Sequence, residues 1–142
     1  MGLNSTRFWI AVAGLSGIAA VLAGAYGWHD LEADTTKREI FSTAVQYHMW
    51  HTLALLGVAW LTDRRSEASA RWASKAGWFF IAGIVLFSGS LYSFSITGEL
   101  PISGAAPIGG LLFISGWAML AWSAMRRDSS EETDNPGGAA DE

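Results

Sequence analysis

The stretch EIFSTAVQYHMWHTLALLGVAWL, Glu39 to Leu61, decides the fold. From Ile40 to Thr62 it carries no charged residue. A helix of that length, rising about 1.5 Å per residue, spans a hydrocarbon core about 30 Å thick. It also holds the strongly polar or titratable side chains of the apolar windows, Gln46, His48 and His51. Polar groups at that depth find no partner in lipid and are expected to face other helices. Any chemistry in the chain is expected to start there.

Three other windows share the absence of charge: Phe8 to His29, Ala76 to Gly98 and Leu100 to Met125. Charged residues make up 15% of the 142, against roughly 25% in soluble domains. A water-soluble bundle of four helices needs a charged face on each, and these windows have none. The sequence therefore predicts an all-α polytopic membrane protein, with four transmembrane helices in an antiparallel bundle. The expected spans are about residues 8–26, 41–61, 76–96 and 105–124 of a transmembrane domain covering residues 1–127. Residues 128–142 hold six of the thirteen carboxylates and almost no large apolar side chain, so a disordered acidic tail is expected there.

The basic residues set the expected orientation. Arg7, Arg64, Arg65, Arg71, Lys75, Arg126 and Arg127 fall on one side of a four-span topology, and Lys37 and Arg38 on the other. Both termini are thus expected in the cytoplasm. Trp9, Trp60, Trp72 and Trp122 then fall near inner ends, and Tyr26, Trp28 and Tyr92 near outer ends, as an aromatic belt would. Met1 to Ala25 has the outline of a signal peptide, ending in Ala23-Gly24-Ala25. Its apolar run is long for such a segment, so cleavage is not expected.

In the first window, small residues recur four apart at Ala13 and Gly17, Ala20 and Gly24, and Ala23 and Gly27. That spacing lets helix backbones approach closely in lipid. Asp34 or Thr35 is placed to cap the second helix. Pro107 suits the first turn of the fourth, where a missing N–H costs nothing.

His48 and His51 lie three apart and share a helix face with Ala44 and Leu55. Two readings stand side by side. In one, the pair relays protons, contacts a ligand or binds metal or haem. In the other, it is a hydrogen-bonded pair that fixes helix register, with the hydroxyls of the third span, Ser88 among them, as partners. The candidate intramembrane polar cluster is Gln46, His48, His51 and Ser88. His29 and Asp30 are candidate interfacial residues, able to meet Lys37 or Arg38. Haem ligation fits poorly, because His48 and His51 sit on one helix while His29 lies ~16 Å above the midplane. A metal site lacks a third ligand at that level. With no Cys, thiolate ligands and disulfides are excluded. No metal or cofactor is expected. The chain also has no phosphate-cradling glycine loop, no G-x-S-x-G elbow and no H-E-x-x-H.

Four stretches resemble one known family: GLSGIAAVLAGAYGWHDL (Gly14–Leu31), FSTAVQYHMWHTLALL (Phe41–Leu56), GWFFIAGIVLFSGSLY (Gly77–Tyr92) and APIGGLLFISGW (Ala106–Trp117). Their order and spacing are similar to those of Domain of Unknown Function 423, a family of small four-span bacterial inner-membrane proteins. The resemblance implies an inner-membrane location. It places His29, Tyr47 and His51 at positions that match the family's motifs. Ser42 stands where the family has an acidic residue, and His48 where it has Gln. The second departure points to a hydrogen-bonding role at position 48 rather than metal ligation. The family brings no activity with it.

The expected function is that of a non-enzymatic membrane component that binds a partner or lipid. The alternative is permeation or sensing of a small polar solute or protons through the cluster around His51. A membrane-embedded redox enzyme ranks third. Membrane lipids are the expected partners, with a protein partner or a second copy left open, and no nucleic acid.

Overall fold

A computed structural model describes residues 2–30 and 34–126. The connection around Glu32 and the acidic tail lie outside the described residues, as does the side chain of Asp30. All regular structure among the described residues is helical. Helix α1 spans Gly2–Asp30, α2 Thr35–Arg64, α3 Glu67–Gly83, α4 Gly89–Thr97 and α5 Ala105–Met125. A π-helical segment, Ile84–Ser88, joins α3 to α4, so that Glu67–Thr97 is one continuous rod.

Helices α1 and α2 outrun their apolar windows at both ends and the rod does so at its start, whereas α5 stays within its window. The polar start and much of the first connection continue α1, and the second connection shrinks to two residues. Charge-free windows mark where lipid begins, whereas helix ends are set by local caps. Asp34 Oδ1 accepts from the Lys37 backbone N–H at 3.1 Å, starting α2 as expected. Arg65 turns extended, and Ser66 then caps α3 by accepting from the Ser69 N–H at 3.4 Å. Gly98 stops α4 with φ of 80°, a left-handed conformation that glycine adopts without a Cβ penalty. Pro107 falls in the first turn of α5.

Contacts between distant residues fix the topology. Thr6 approaches Thr62 at 3.5 Å at one end of the α1–α2 pair, and Tyr26 meets Phe41 at the other. The two helices are therefore antiparallel along their whole length. Ser123 Oγ donates to the Ser69 carbonyl at 2.7 Å while Phe87 packs on Phe113, so α5 runs antiparallel to the rod. The pairs α1–α2 and α3–α5 join mainly where α2 meets the rod. Between them lies one core of Trp9, Ala13, Leu55, Val58, Ala73, Ala76, Phe80 and Phe113.

Small residues make these approaches close. Ala13 and Ala20 are buried, and Gly17 and Gly24 lie against Thr52 and Val45 of α2. A Cβ on Gly27 would run into the Phe41 ring. Trp9 departs from the belt expected of it. It is 2% exposed, its ring seated in the notch left by Gly77.

The outer surface is apolar. Leu15, Ile18, Val21, Leu22, Leu111 and Ile114 are each at least 60% exposed. Ser5–His29, Glu67–Thr97 and Ala105–Met125 are long and apolar enough to cross a membrane. Helix α2 is as long but less apolar, because it carries the polar residues that face inward.

Candidate functional site

The buried face of α2 runs Phe41, Ala44, His48, His51, Thr52, Leu55. His51 is 4% exposed and His48 is 8% exposed, so the spacing argument places both correctly, beside Ala44 and Leu55. Their surroundings differ.

His51 has both nitrogens engaged. Nδ1–H donates to the Tyr47 carbonyl, one turn earlier, at 2.7 Å. The Trp117 indole Nε1–H of α5 donates to Nε2 at 3.2 Å. An indole N–H only donates, so Nε2 must carry the lone pair and Nδ1 the proton. This is the bonding of a neutral imidazole. The ring face lies on Phe113, with centroids 3.5 Å apart and planes 9° apart, and Phe80 closes another side at 5.5 Å.

His48 joins α1 and α4 instead. Nε2 lies 3.0 Å from Ser16 Oγ, and Ser16 Oγ lies 2.6 Å from Thr52 Oγ1. Nδ1 lies 3.2 Å from the Tyr92 hydroxyl. Hydroxyls donate or accept, so the series Tyr92–His48–Ser16–Thr52 is satisfied with its protons ordered in either direction. One side chain thus ties three elements together.

The other predicted residues do not join this network. Gln46 is exposed, because a two-residue offset from His48 turns it to the outer face of α2. Ser88 is fully buried, yet its Oγ has no hydrogen-bond partner. It lies in the π segment, where the Gly89 N–H takes the Ile84 carbonyl that a serine in a regular helix would reach. Ser90 and Ser95 do bond back to their own helix, to the Leu86 and Leu91 carbonyls. His29 is exposed, and Arg38 stacks over the Trp28 ring at 3.9 Å rather than pairing with it. Among the described residues no group of three His, Asp or Glu side chains could hold a metal ion.

Sequence reasoning missed Ser16, Thr52 and Trp117. Thr52 had a usable signal, since it follows His48 by four residues and so shares its face. Ser16 and Trp117 had none: a serine in a small-residue helix and a tryptophan in an apolar one are both ordinary.

Beside His51, on the outside of the α2–α5 junction, lies an open groove of about 520 Å³. Tyr47, Trp50, Phe87, Leu111, Phe113 and Trp117 line it. It is aromatic and nearly without charge, so it suits apolar chains or rings rather than ions.

Residues 23–110 match a family model described as "Protein of unknown function (DUF423)". The matched span contains His48 and His51 but neither Ser16 nor Trp117. The UPF0382 membrane protein YwdK of Bacillus subtilis (strain 168) is 42% identical over 93 residues, covering 64% of this chain and 74% of the relative. The UPF0382 inner membrane protein YgdD of Escherichia coli (strain K12) is 36% identical over 124 residues, covering 86% of this chain and 92% of the relative. No solved structure matches the chain.

Proposed function

Since the chain belongs to the DUF423 family of membrane proteins, a family defined without an activity, we propose a role that needs none: a non-enzymatic component of the inner membrane that binds lipid or a protein partner. In this reading the histidine pair fastens the bundle and the outer faces do the binding. The observation that carries it is the engagement of all four ring nitrogens of His48 and His51 within the chain. Ligation needs a free lone pair, and neither ring offers one; at His51 the indole, which only donates, also breaks any proton relay through Nε2. The aromatic groove beside His51 supplies an outward surface for an acyl chain or an apolar partner.

The same reading has α2 crossing the bilayer with the other three rods, since it lies antiparallel to α1 from Thr6–Thr62 to Tyr26–Phe41. The end rich in Arg and Lys faces the cytoplasm.

A second reading is favoured by the Tyr92–His48–Ser16–Thr52 series, whose two proton orders are those of a hydrogen-bonded wire. Proteoliposomes decide between them. If the pair is a fastener, His51→Ala and His51→Leu both lower the melting temperature in detergent, and wild-type vesicles conduct protons no faster than protein-free ones. Faster wild-type flux, lost in a stably folded His48→Leu variant, would overturn the proposal in favour of conduction.

A further inference from the structure

A second cavity lies at the basic end of the bundle, remote from the histidines. It encloses about 360 Å³ where the start of α1, the end of α2 and the first turns of α3 meet. Its lining is built in two levels. Glu67, Arg71 and Lys75 are spaced four apart along α3 and share one face, and all three line the cavity together with Arg65 and Asp63. Ser5 and Ser74 add hydroxyls, whereas the Thr62 hydroxyl donates to the Ala59 carbonyl at 2.8 Å. Arg65 donates to the Ala124 carbonyl at 3.2 Å, and the two carboxylates already have partners. Glu67 Oε2 lies 3.6 Å from Arg71 Nη1, and Asp63 Oδ2 lies 3.6 Å from Arg64 Nε. Lys75 Nζ stands 4.5 Å over the Trp72 ring, and an anion near both it and Arg71 would offset their repulsion across one turn.

The lower level is aromatic. Trp78, one turn further into the apolar part of α3, closes the cavity. Its ring lies 5.8 Å from Phe8 and 5.6 Å from Trp9. Phe8 and Trp78 remain 44% and 56% exposed, forming a shelf that leads outward along the bundle. Cations and hydroxyls above and exposed rings below match a molecule with an anionic head and a hydrocarbon tail. Basic pockets at the cytoplasmic ends of membrane helices suit such headgroups.

We propose that this cavity seats the headgroup phosphate of an anionic phospholipid. Arg71 and Lys75 stand over the phosphate, the hydroxyls of Ser5 and Ser74 donate to its oxygens, and the first acyl carbons lie on the Phe8–Trp78 shelf. The assignment rests on the lipid-binding reading above and gives it a lipid class and a place. A free phosphate would use the upper level alone.

Native mass spectrometry of the detergent-purified full chain, titrated with phosphatidylglycerol or phosphatidylcholine, tests it. The wild type is expected to retain phosphatidylglycerol in preference. Each of Arg71→Gln and Lys75→Gln is expected to cut that preference about fivefold, the worth of one basic residue near an anionic surface. Trp78→Ala should weaken phosphatidylglycerol binding with the charges intact, and millimolar inorganic phosphate should leave the bound lipid in place. Lys37→Gln, at the opposite end, should change nothing. Arg71 is 61% exposed on its side chain, so its loss leaves the fold intact, which a melting curve checks. Equal retention of the two lipids by the wild type overturns the site while leaving lipid binding standing. Retention of neither overturns both. Displacement by inorganic phosphate overturns the lipid as occupant in favour of a small anion.

Discussion

At the scale of single residues, two histidines three positions apart do different work. His48 meets hydroxyls on α1 and α4, groups that exchange donor and acceptor roles freely. His51 meets a donor that cannot accept, and this fixes its tautomer. Trp117→Phe removes that donor while keeping an aromatic ring in place, so His51 Nε2 is left without a partner at a buried site. Hydrogen bonds between helices in lipid are worth about 0.6 kcal/mol on average, and an unpaired buried acceptor adds to the loss. The variant is expected to be less stable by about 1–2 kcal/mol, read from unfolding in mixed micelles. In a cycle with His51→Leu, the Trp117 substitution should cost about 1–2 kcal/mol less, because the bond and the unpaired acceptor both vanish with the imidazole. Independent, additive effects would show that the 3.2 Å contact contributes nothing. The importance of His48 and His51 was legible in the sequence, because a polar side chain inside a charge-free window must be satisfied by protein. Their partners were not. Gln46 is as polar as either histidine, and only the helix rotation, fixed by α1 and the rod, decides that it faces out.

At the scale of the helices, the seams are written in glycine and alanine, and their meaning depends on what stands opposite. The stripe on α1 was legible from its spacing, though not the helix it serves. The π segment was not legible at all. It lies at the approach of α5, where a Cβ on Gly109 would strike the backbone of Phe87, beside the reciprocal pairs Gly83 with Phe113 and Gly116 with Phe80. Each glycine admits a ring or a backbone from the facing helix, and the bulge at Ile84–Ser88 occupies the level of closest approach. That geometry leaves Ser88 Oγ unbonded, which accounts for the failure of the hydroxyl prediction there. Gly109→Ala tests the seam. A side chain in the way can rotate aside, but the Phe87 backbone cannot, so α5 must shift. A loss near the upper end of the 1–3 kcal/mol typical of overpacking is expected, about 3 kcal/mol. Gly14→Ala, whose added methyl meets nothing within 4 Å, should leave the melting temperature unchanged. Equal melting temperatures for the two variants would mean that α5 is not held at this distance.

At the scale of the whole molecule, the distribution of apolar surface is inverted relative to a protein in water. Leucine, isoleucine and tryptophan point outward around every long helix, and hydroxyls and imidazoles point inward. This part of the fold was the most legible, because the sweeping of charge out of four windows leaves few alternatives. The harder question concerns α2, whose inward polar face makes its composition a poor guide to its surroundings. Its outward face answers better: Trp50, Leu53, Leu56 and Trp60 are all about half exposed or more, as a lipid-facing stripe should be. Its ends coincide with the ends of α1, so α1 cannot cross without it. The chain has no Cys, and single cysteines therefore report sidedness without background. With four crossings, Ser5→Cys and Asp63→Cys should react with a membrane-impermeant maleimide only after the cytoplasmic face is opened. Thr36→Cys and Glu99→Cys should react in intact cells. Had α2 lain along the surface, Thr36→Cys and Asp63→Cys would label from the same side, and the antiparallel α1–α2 seam would come apart with that result. If instead the pairs separate as expected but on exchanged sides, the bundle stands and the basic residues do not set its direction. The phospholipid site at the Arg71 end would then face the outer leaflet.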